Sequence, residues 1–306
     1  MNTKIKKIVG PVIPIPTPFN QKFEVDYAAL SNYVEFLMKS GVQNVMTTVG
    51  TSRFNLLTDD EVKKVNETVV KAAGGKIISI VANPTTGGMS QAIGFAKHAK
   101  EIGADFFLTY FPERFYGDDN TFIFFQTIND SVDIPILIHE MPLRNGYGPG
   151  TVQYSFNLLD RLLDLRNICG FKEEALDANY SNQIVSRYSD NAVIIGAGGG
   201  MSRYLFRDHD LGARAYLGGI GNFKPQIELD FYNAMINDNR TIAEKIVKEI
   251  ELPYFNRVVP LGWHPTLKVA LSLMNLMPGY ERLPMKQLSS MEKEEVRNEL
   301  LLNNWI

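Results

Sequence analysis

One lysine lies where a short apolar run ends, in the segment Ile168 to Lys172. Such a run is typical of a buried β-strand, and in a parallel barrel the residue at its carboxyl end faces the barrel mouth. Low-dielectric walls there favour the neutral amine, which attacks carbonyl groups and forms a protonated imine. That imine permits carbon-carbon cleavage, condensation or loss of water. Lys172 is therefore the first candidate catalytic residue, and the alternative is a structural ion pair with Glu173, Glu174 or Glu140.

Two other side chains that can move protons occupy the ends of neighbouring apolar runs. His139 offers an imidazole and Tyr110 a phenol, although both residue types also serve as ordinary packing residues. The other histidines are His98, in a predicted helix, and His209 and His264, in predicted loops. None has metal-ligand spacing with His139, so we predict no metal and no cofactor.

Hydroxyl groups and glycines follow three more of the runs. The segment from Thr47 to Ser52 could hold a carboxylate through several hydrogen bonds, or could be an ordinary polar turn. The clusters Gly198 to Gly200 and Gly218 to Gly221 could bring backbone amides to an anion, as phosphate sites do in many barrels. They could equally permit tight turns, so a phosphate-bearing substrate stays open.

The elements that must position these residues are eight short β-branched or aromatic runs, each followed by a stretch with helical periodicity. The runs are Val12 to Pro16, Asn44 to Val49, Ile77 to Ala82, Asp105 to Phe111, Ile134 to His139, Ile168 to Lys172, Ala192 to Gly196 and Ala213 to Gly218. Continuous apolar strands alternating with helices predict an α/β fold with a parallel sheet, and eight units favour a (β/α)8 TIM barrel. An open doubly wound sheet is the alternative, but prolines replace its usual glycine-rich turn.

Helical patterns continue after the last run. Between the runs, helices are predicted over Asp26 to Ser40, Asp59 to Ala73, Ser90 to Ile102, Asp118 to Val132 and Tyr154 to Leu165. Thr58 and Glu61 form a predicted capping box. Beyond residue 224 the patterns run through Ile227 to Asn237, Thr241 to Arg257, His264 to Met274 and Ser290 to Leu302. We therefore predict a barrel domain over 1–224 and a C-terminal helical subdomain over 225–306.

Composition excludes several classes of protein. The 306 residues include 31 Lys and Arg against 34 Asp and Glu, a net charge of −3 with no basic stripe, so nucleic acid is excluded as a partner. The single cysteine, Cys169, forms no internal disulfide and is typical of a reducing cytosol. Prolines interrupt the N-terminal apolar stretch, so we predict a cytoplasmic protein with no membrane partner.

Four segments resemble the dihydrodipicolinate synthase and N-acetylneuraminate lyase family, and the similarity runs along nearly the whole chain. Asn167 to Glu173 is similar to the active-site lysine strand, the most specific of these motifs. Pro135 to Asn145 resembles the strand that reads Tyr-Asn-x-Pro-x-Arg-Thr in the family. Val49 to Ser52, with Leu57 and Thr58, resembles the carboxylate-binding Gly-Thr-Thr-Gly-Glu turn. Trp263 to Met285 is similar to the C-terminal helices.

The resemblance implies a Schiff base between Lys172 and pyruvate or a related small 2-oxo acid. It also implies a homotetramer, with a dimer as the alternative. By the same match, Arg144 would hold a distal carboxylate of the substrate. Leu217 and Gly218 would lie beside the imine.

The carboxylate-binding turn departs from the family pattern, because Arg53 and Phe54 replace its last two residues in a straight alignment. That alignment assigns the substrate carboxylate to Thr51 and Ser52. A shift of one residue would assign it to Gly50 and Thr51.

The proton relay departs as well. The family's catalytic tyrosine aligns with His139, and its second tyrosine aligns with Phe111 or, one residue earlier, with Tyr110. This loss argues against true dihydrodipicolinate synthase activity. We predict a Schiff-base lyase or aldolase in which His139 shuttles protons, while Arg144 or Arg53 selects an acidic or hydroxylated tail. The alternatives are a dehydratase of a 2-oxo sugar acid by the same imine chemistry, and a catalytically impaired ligand-binding homologue.

Overall fold

In the computed structural model, eight parallel strands close into a barrel in sequence order, each paired with its neighbours and β1 with β8. The described residues are 8–85, 88–110, 115–140 (the side chain of residue 140 excepted) and 153–306. The strands are β1 (Gly10–Pro14), β2 (Asn44–Thr47), β3 (Ile78–Ala82), β4 (Phe106–Tyr110), β5 (Ile136–Glu140), β6 (Ile168–Glu173), β7 (Val193–Gly196) and β8 (Ala215–Leu217). The (β/α)8 barrel is confirmed, and the open doubly wound sheet is wrong.

The helices cover the barrel and then continue as a tail. They are α1 (Tyr27–Lys39), α2 (Asp59–Ala73), α3 (Met89–Glu101), α4 (Asp118–Ser131), α5 (Phe156–Leu163), α6 (Ala178–Tyr188), α7 (Gly200–Arg203), α8 (Pro225–Ile236), α9 (Arg240–Ile246), α10 (Leu252–Val258), α11 (Trp263–Leu273) and α12 (Ser290–Leu302). The Thr58 and Glu61 capping box at α2 is present. No helix in the described ranges is long and apolar enough to span a membrane.

Two details of the helices refine the sequence analysis. His264 lies in the first turn of α11 and not in a loop, because the helix begins at Trp263 just after Gly262. Helix α8 packs against β1, with Tyr232 beside Gly10, and so completes the eighth βα unit. The predicted boundary after residue 224 precedes this helix.

Inward and outward side chains alternate along the strands, with an interruption in β6, and build two separate cores. The barrel interior contains Leu108 and Tyr110 from β4, Leu137 from β5 and Ile195 from β7. The outward side chains, among them Phe171, join the larger core between strands and helices. A side chain can therefore reach the barrel mouth only if its strand presents it inward.

A β-bulge in β6 decides which way Lys172 faces. The β5–β6 register shifts between Ile136 and Leu137, which pair with Ile168 and Gly170. Cys169 faces inward, so strict alternation would turn Lys172 outward. The extra residue at the bulge reverses the alternation and places Lys172 directly across from His139.

Replacing Gly170 with alanine is expected to destabilise the fold strongly. An added Cβ would lie 2.0 Å from the carbonyl oxygen of Val193, a backbone atom of the paired strand. Overpacking of this kind costs about 1–3 kcal/mol or more, and thermal unfolding would measure it. Gly94→Ala is the matched control, since Gly94 is exposed in α3 with nothing within 4 Å of an added Cβ, and we expect unchanged or slightly higher stability. Equal unfolding temperatures for the two variants would contradict the role of the bulge.

Candidate active site

A cavity of about 570 Å³ opens at the carboxyl ends of the strands, between the barrel mouth and the C-terminal helices. Its position agrees with the location of active sites in (β/α)8 barrels. Both the barrel and the tail line this cavity. The lining includes Gly50, Thr51, His139, Lys172, Glu174 and Leu217 from the barrel, and Phe255, Trp263 and His264 from the tail.

Three titratable side chains meet at the base of this cavity. Lys172 Nζ lies 2.7 Å from His139 Nε2 and 2.7 Å from Glu174 Oε2. His139 Nε2 lies 2.9 Å from the same Glu174 oxygen, which closes a triangle. Lys172 and His139 are both 3% exposed, whereas the Glu174 side chain retains 34% exposure toward the cavity. The structure therefore brings together a buried amine, an imidazole and a carboxylate that can be reached from the cavity.

Glu174 is the anion of this triangle. Burial alone would raise the pKa of its carboxyl group, but the charge of Lys172 and the hydrogen bond and charge of His139 outweigh burial. The pKa of Glu174 is consequently held well below its ordinary value. A carboxylate that stays ionised beside Lys172 can compensate a positive charge on this nitrogen, in the amine or in an imine.

Tyr110, His139 and Lys172 stand side by side on β4, β5 and β6 as Cα partners. The Tyr110 ring packs against the His139 ring with centroids 4.9 Å apart, and Tyr110 is buried. Tyr110 thus supports the imidazole from the side away from Lys172.

The other predicted site residues fall into three groups. Gly50 and Thr51 line the cavity, and so do Leu217 and Gly218. The Ser52 side chain is fully buried and is not part of the lining. Arg144 lies outside the described residues, as does Phe111.

Internal carboxyl groups accept hydrogen bonds from several backbone amides in or just after the glycine loops that follow β7 and β8. The carboxylate of Glu251 accepts hydrogen bonds from the amides of Met201–Ser202, at 2.7 Å each. That of Glu228 accepts them from the amides of Gly219 and Gly221, at 2.7 and 2.8 Å. Burial, reinforced by the charge of Glu228, raises the pKa of Glu251 to about 8. In the cluster after β8, the amides of Gly219 and Gly221 are therefore already occupied, whereas anion binding by Gly198 to Gly200 stays a prediction.

Arg53 does not select a substrate tail, and that prediction is wrong. The residue is fully buried behind the Thr51 turn, where its guanidinium pairs with Glu281. It therefore has no access to a ligand in the cavity.

Sequence reasoning named Glu174 only as a possible ion-pair partner of Lys172, a pair that the structure contains, and gave the tail no part in the cavity. Glu174 follows Lys172 by two positions, so strand alternation places both on the same side, which was the available signal. His264 has no such signal, because α11 brings it to the cavity from far along the chain. Burial and the charge of Arg53 lower the pKa of His264 to about 4, so this imidazole is neutral at neutral pH.

The closed barrel with an amine, an imidazole and a carboxylate at its mouth has the architecture of a (β/α)8-barrel enzyme. Among the described residues, no group of three or more His, Cys, Asp or Glu side chains is placed to hold a metal ion. The model of the dihydrodipicolinate synthetase family matches residues 6–302. The chain belongs to this family and is a lyase.

Individual relatives match this chain over nearly their full lengths. The chain is 27% identical over 291 residues to the 4-hydroxy-tetrahydrodipicolinate synthase of Methanothrix thermoacetophila, with 94% of each chain covered. The crystal structure of dihydrodipicolinate synthase from Aquifex aeolicus matches with a TM-score of 0.86 and 27% identity, over 97% of this chain and 99% of that one. N-acetylneuraminate lyase from Mycoplasma synoviae matches with a TM-score of 0.83 over 98% of each chain, and its 21% identity shows the shared fold alone.

Proposed function

We propose that this protein is a Schiff-base-forming lyase or aldolase that acts on a small 2-oxo acid through an imine at Lys172. The observation that carries the proposal is the triangle of Lys172, His139 and Glu174, in which the lysine nitrogen lies 2.7 Å from an imidazole nitrogen and 2.7 Å from an ionised carboxylate. An ammonium must lose a proton before it attacks a carbonyl, and the His139 imidazole is within reach to accept it.

The proposed reaction begins when the Lys172 amine adds to the ketone carbon of the 2-oxo acid. Water leaves, and a protonated imine remains with Glu174 as its counter-ion. In aldol cleavage, His139 accepts the proton of the substrate's C4 hydroxyl while the C3–C4 bond breaks. The electron pair of that bond moves into the imine and gives an enamine and a free aldehyde. His139 then returns the proton to C3, and water releases the 2-oxo acid from Lys172.

Dehydration uses the same imine. His139 takes a proton from C3, which gives the enamine. The enamine then expels the hydroxyl group at C4 as water, and the protonated side chain of His139 supplies the proton that this hydroxyl needs. His139 Nε2 can accept from the lysine nitrogen, or it can donate to Glu174 as an N–H, so one imidazole can serve both steps.

We assign the substrate carboxylate to Gly50 and Thr51, since these residues line the cavity and Ser52 does not. Leu217 and Gly218 also line the cavity, and by the family resemblance we place them beside the imine. On the family resemblance, we keep as proposals that Arg144 holds a distal group and that the chain forms a homotetramer, with a dimer as the alternative. On the sequence composition and motifs, we keep as proposals that it acts in the cytoplasm and needs no cofactor. By the family resemblance, His139 stands where the synthase motif has its catalytic tyrosine, so we do not propose the synthase reaction.

Borohydride reduction in the presence of pyruvate tests the imine. We expect one stable adduct, with the mass of reduced pyruvate, on the peptide that contains Lys172. Lys268 is the internal control, because it is also buried and burial lowers its pKa to about 7. Absence of an adduct, or an adduct on Lys268, would contradict the proposal. A panel of sugar acids then separates pyruvate release from water loss and so distinguishes aldolase from dehydratase.

A further inference from the structure

A buried ion pair lies directly behind the turn that carries Thr51. The Arg53 and Glu281 side chains are 0% and 2% exposed, and Arg53 Nη2 lies 2.5 Å from Glu281 Oε1. A second guanidinium nitrogen, Nε, donates to the same oxygen at 3.0 Å. An unpaired buried charge strongly destabilises a fold, so the guanidinium stays beside Glu281, and the pair fixes its position.

The remaining donors of Arg53 reach two walls of the cavity. Nη1 donates to the carbonyl oxygen of Thr51 at 2.5 Å, and Nη2 donates to that of His264 at 2.8 Å. One side chain thus ties the turn after β2 to the first turn of α11. Both Thr51 and His264 line the cavity, so the position of Arg53 sets the distance between these walls.

The backbone of Arg53 supports a role beyond packing. Its φ angle of 64° is left-handed, which is uncommon for a residue with a side chain and costs about 1–3 kcal/mol. A second buried basic residue, Lys268, supports the next residue of the turn through Thr17. Lys268 Nζ donates to the Thr17 carbonyl, and the Thr17 hydroxyl donates to the Ser52 carbonyl at 2.5 Å. The turn is therefore held from behind at two adjacent carbonyl groups.

We propose that Arg53, fixed by Glu281, is a positioning residue that holds the Thr51 turn in the geometry that binds the substrate carboxylate. The inference rests on the proposed function, since it assumes that a 2-oxo acid binds at this turn. Arg53 touches no substrate. It acts through the Thr51 backbone, so its loss weakens binding of the carboxylate and leaves the chemistry at Lys172 in place.

Borohydride trapping at varied ligand concentration tests this role, with pyruvate and its neutral amide, pyruvamide, as matched ligands. Arg53→Lys keeps the charge but cannot reach Glu281, Thr51 and His264 together. We expect it to raise the half-saturating pyruvate concentration about tenfold, the effect of losing one charge-assisted contact. The half-saturating pyruvamide concentration should change by less than about twofold, and the trapping rate at saturating ligand should stay at the wild-type value.

Glu281→Asp is the second variant and uses the same two ligands. This variant keeps the ion pair but draws the guanidinium away from Thr51. We therefore expect a smaller rise in the half-saturating pyruvate concentration than for Arg53→Lys. If Arg53→Lys does not fold, this variant tests the positioning role alone. Equal shifts for pyruvate and pyruvamide, or no shift for either, would overturn the positioning role. If the wild-type protein forms no adduct, the proposed function itself is contradicted. Failure of the positioning role and failure of the proposed function are therefore distinguishable.

Discussion

Replacing Lys172 with arginine is expected to abolish turnover while the barrel stays folded. Arginine keeps a cation beside Glu174, whose carboxylate lies 2.7 Å from the lysine nitrogen, so the buried charge balance is maintained. The arginine guanidinium, unlike the lysine amine, forms no imine with a 2-oxo acid. We expect kcat to fall by roughly 10⁴-fold or more, the scale on which loss of a covalent nucleophile reduces turnover.

A coupled assay for pyruvate release, run on the substrate that the panel identifies, measures this loss, and thermal unfolding verifies the fold. Lys39→Arg is the control, because Lys39 is exposed on α1 and pairs only with Glu35 among the described residues. It should retain full activity. Product release by the Lys172→Arg variant at more than a few per cent of the wild-type rate would rule out covalent catalysis at this residue.

The barrel was predictable from the sequence because its signal is local and repeated. Each apolar run became a strand within a few residues of its predicted bounds, and α2 and α12 match their predicted ranges at both ends. The predicted run from Val12 is displaced, since β1 begins at Gly10 and ends at Pro14. Proline lacks the amide that a continuing ladder requires, which accounts for the early end of this strand.

The orientation of Lys172 was not predictable in the same way. Simple alternation from Cys169 would have turned Lys172 toward the helices, and only the bulge at Gly170 turns it inward. A bulge depends on how two strands pair, which a single sequence does not reveal. The resemblance to the family lysine strand identified the residue, and the structure supplies the reason that the assignment is geometrically possible.

Arg53 shows the opposite case, in which residue type suggested the wrong role. A charged side chain in a cavity-lining turn is a natural candidate for binding an acidic substrate. Its partner, Glu281, is 228 positions away in sequence, so nothing near Arg53 indicated that the charge is satisfied internally. Long-range pairing of buried charges depends on tertiary structure. Because Arg53 pairs with Glu281, it does not make the predicted contact with a ligand but supports the Thr51 turn.

Replacing Glu174 with glutamine is expected to lower kcat about 10²-fold or more while imine formation with pyruvate is retained. Glutamine keeps the size of the side chain but removes the negative charge that faces both Lys172 and His139. Proton transfer by a positioned group contributes about 10²–10⁴-fold to catalysis, and Glu174 is placed to hold the imidazole that performs it. Borohydride trapping and product release, measured on the same sample, separate the imine from the proton transfers that follow.

The neighbouring Glu173 provides a matched control because it faces the other way along the strand. Its fully buried carboxylate pairs with Arg203 behind the barrel wall, so Glu173→Gln should cost about 3–5 kcal/mol of stability while the folded protein keeps its kcat. Glu174→Gln should show the reverse pattern. If Glu174 and His139 act as one unit, a double variant with His139→Asn will be no slower than the poorer single variant. Multiplicative losses in the double variant would show that the two residues act independently, and His139 alone would then remain as the proton shuttle.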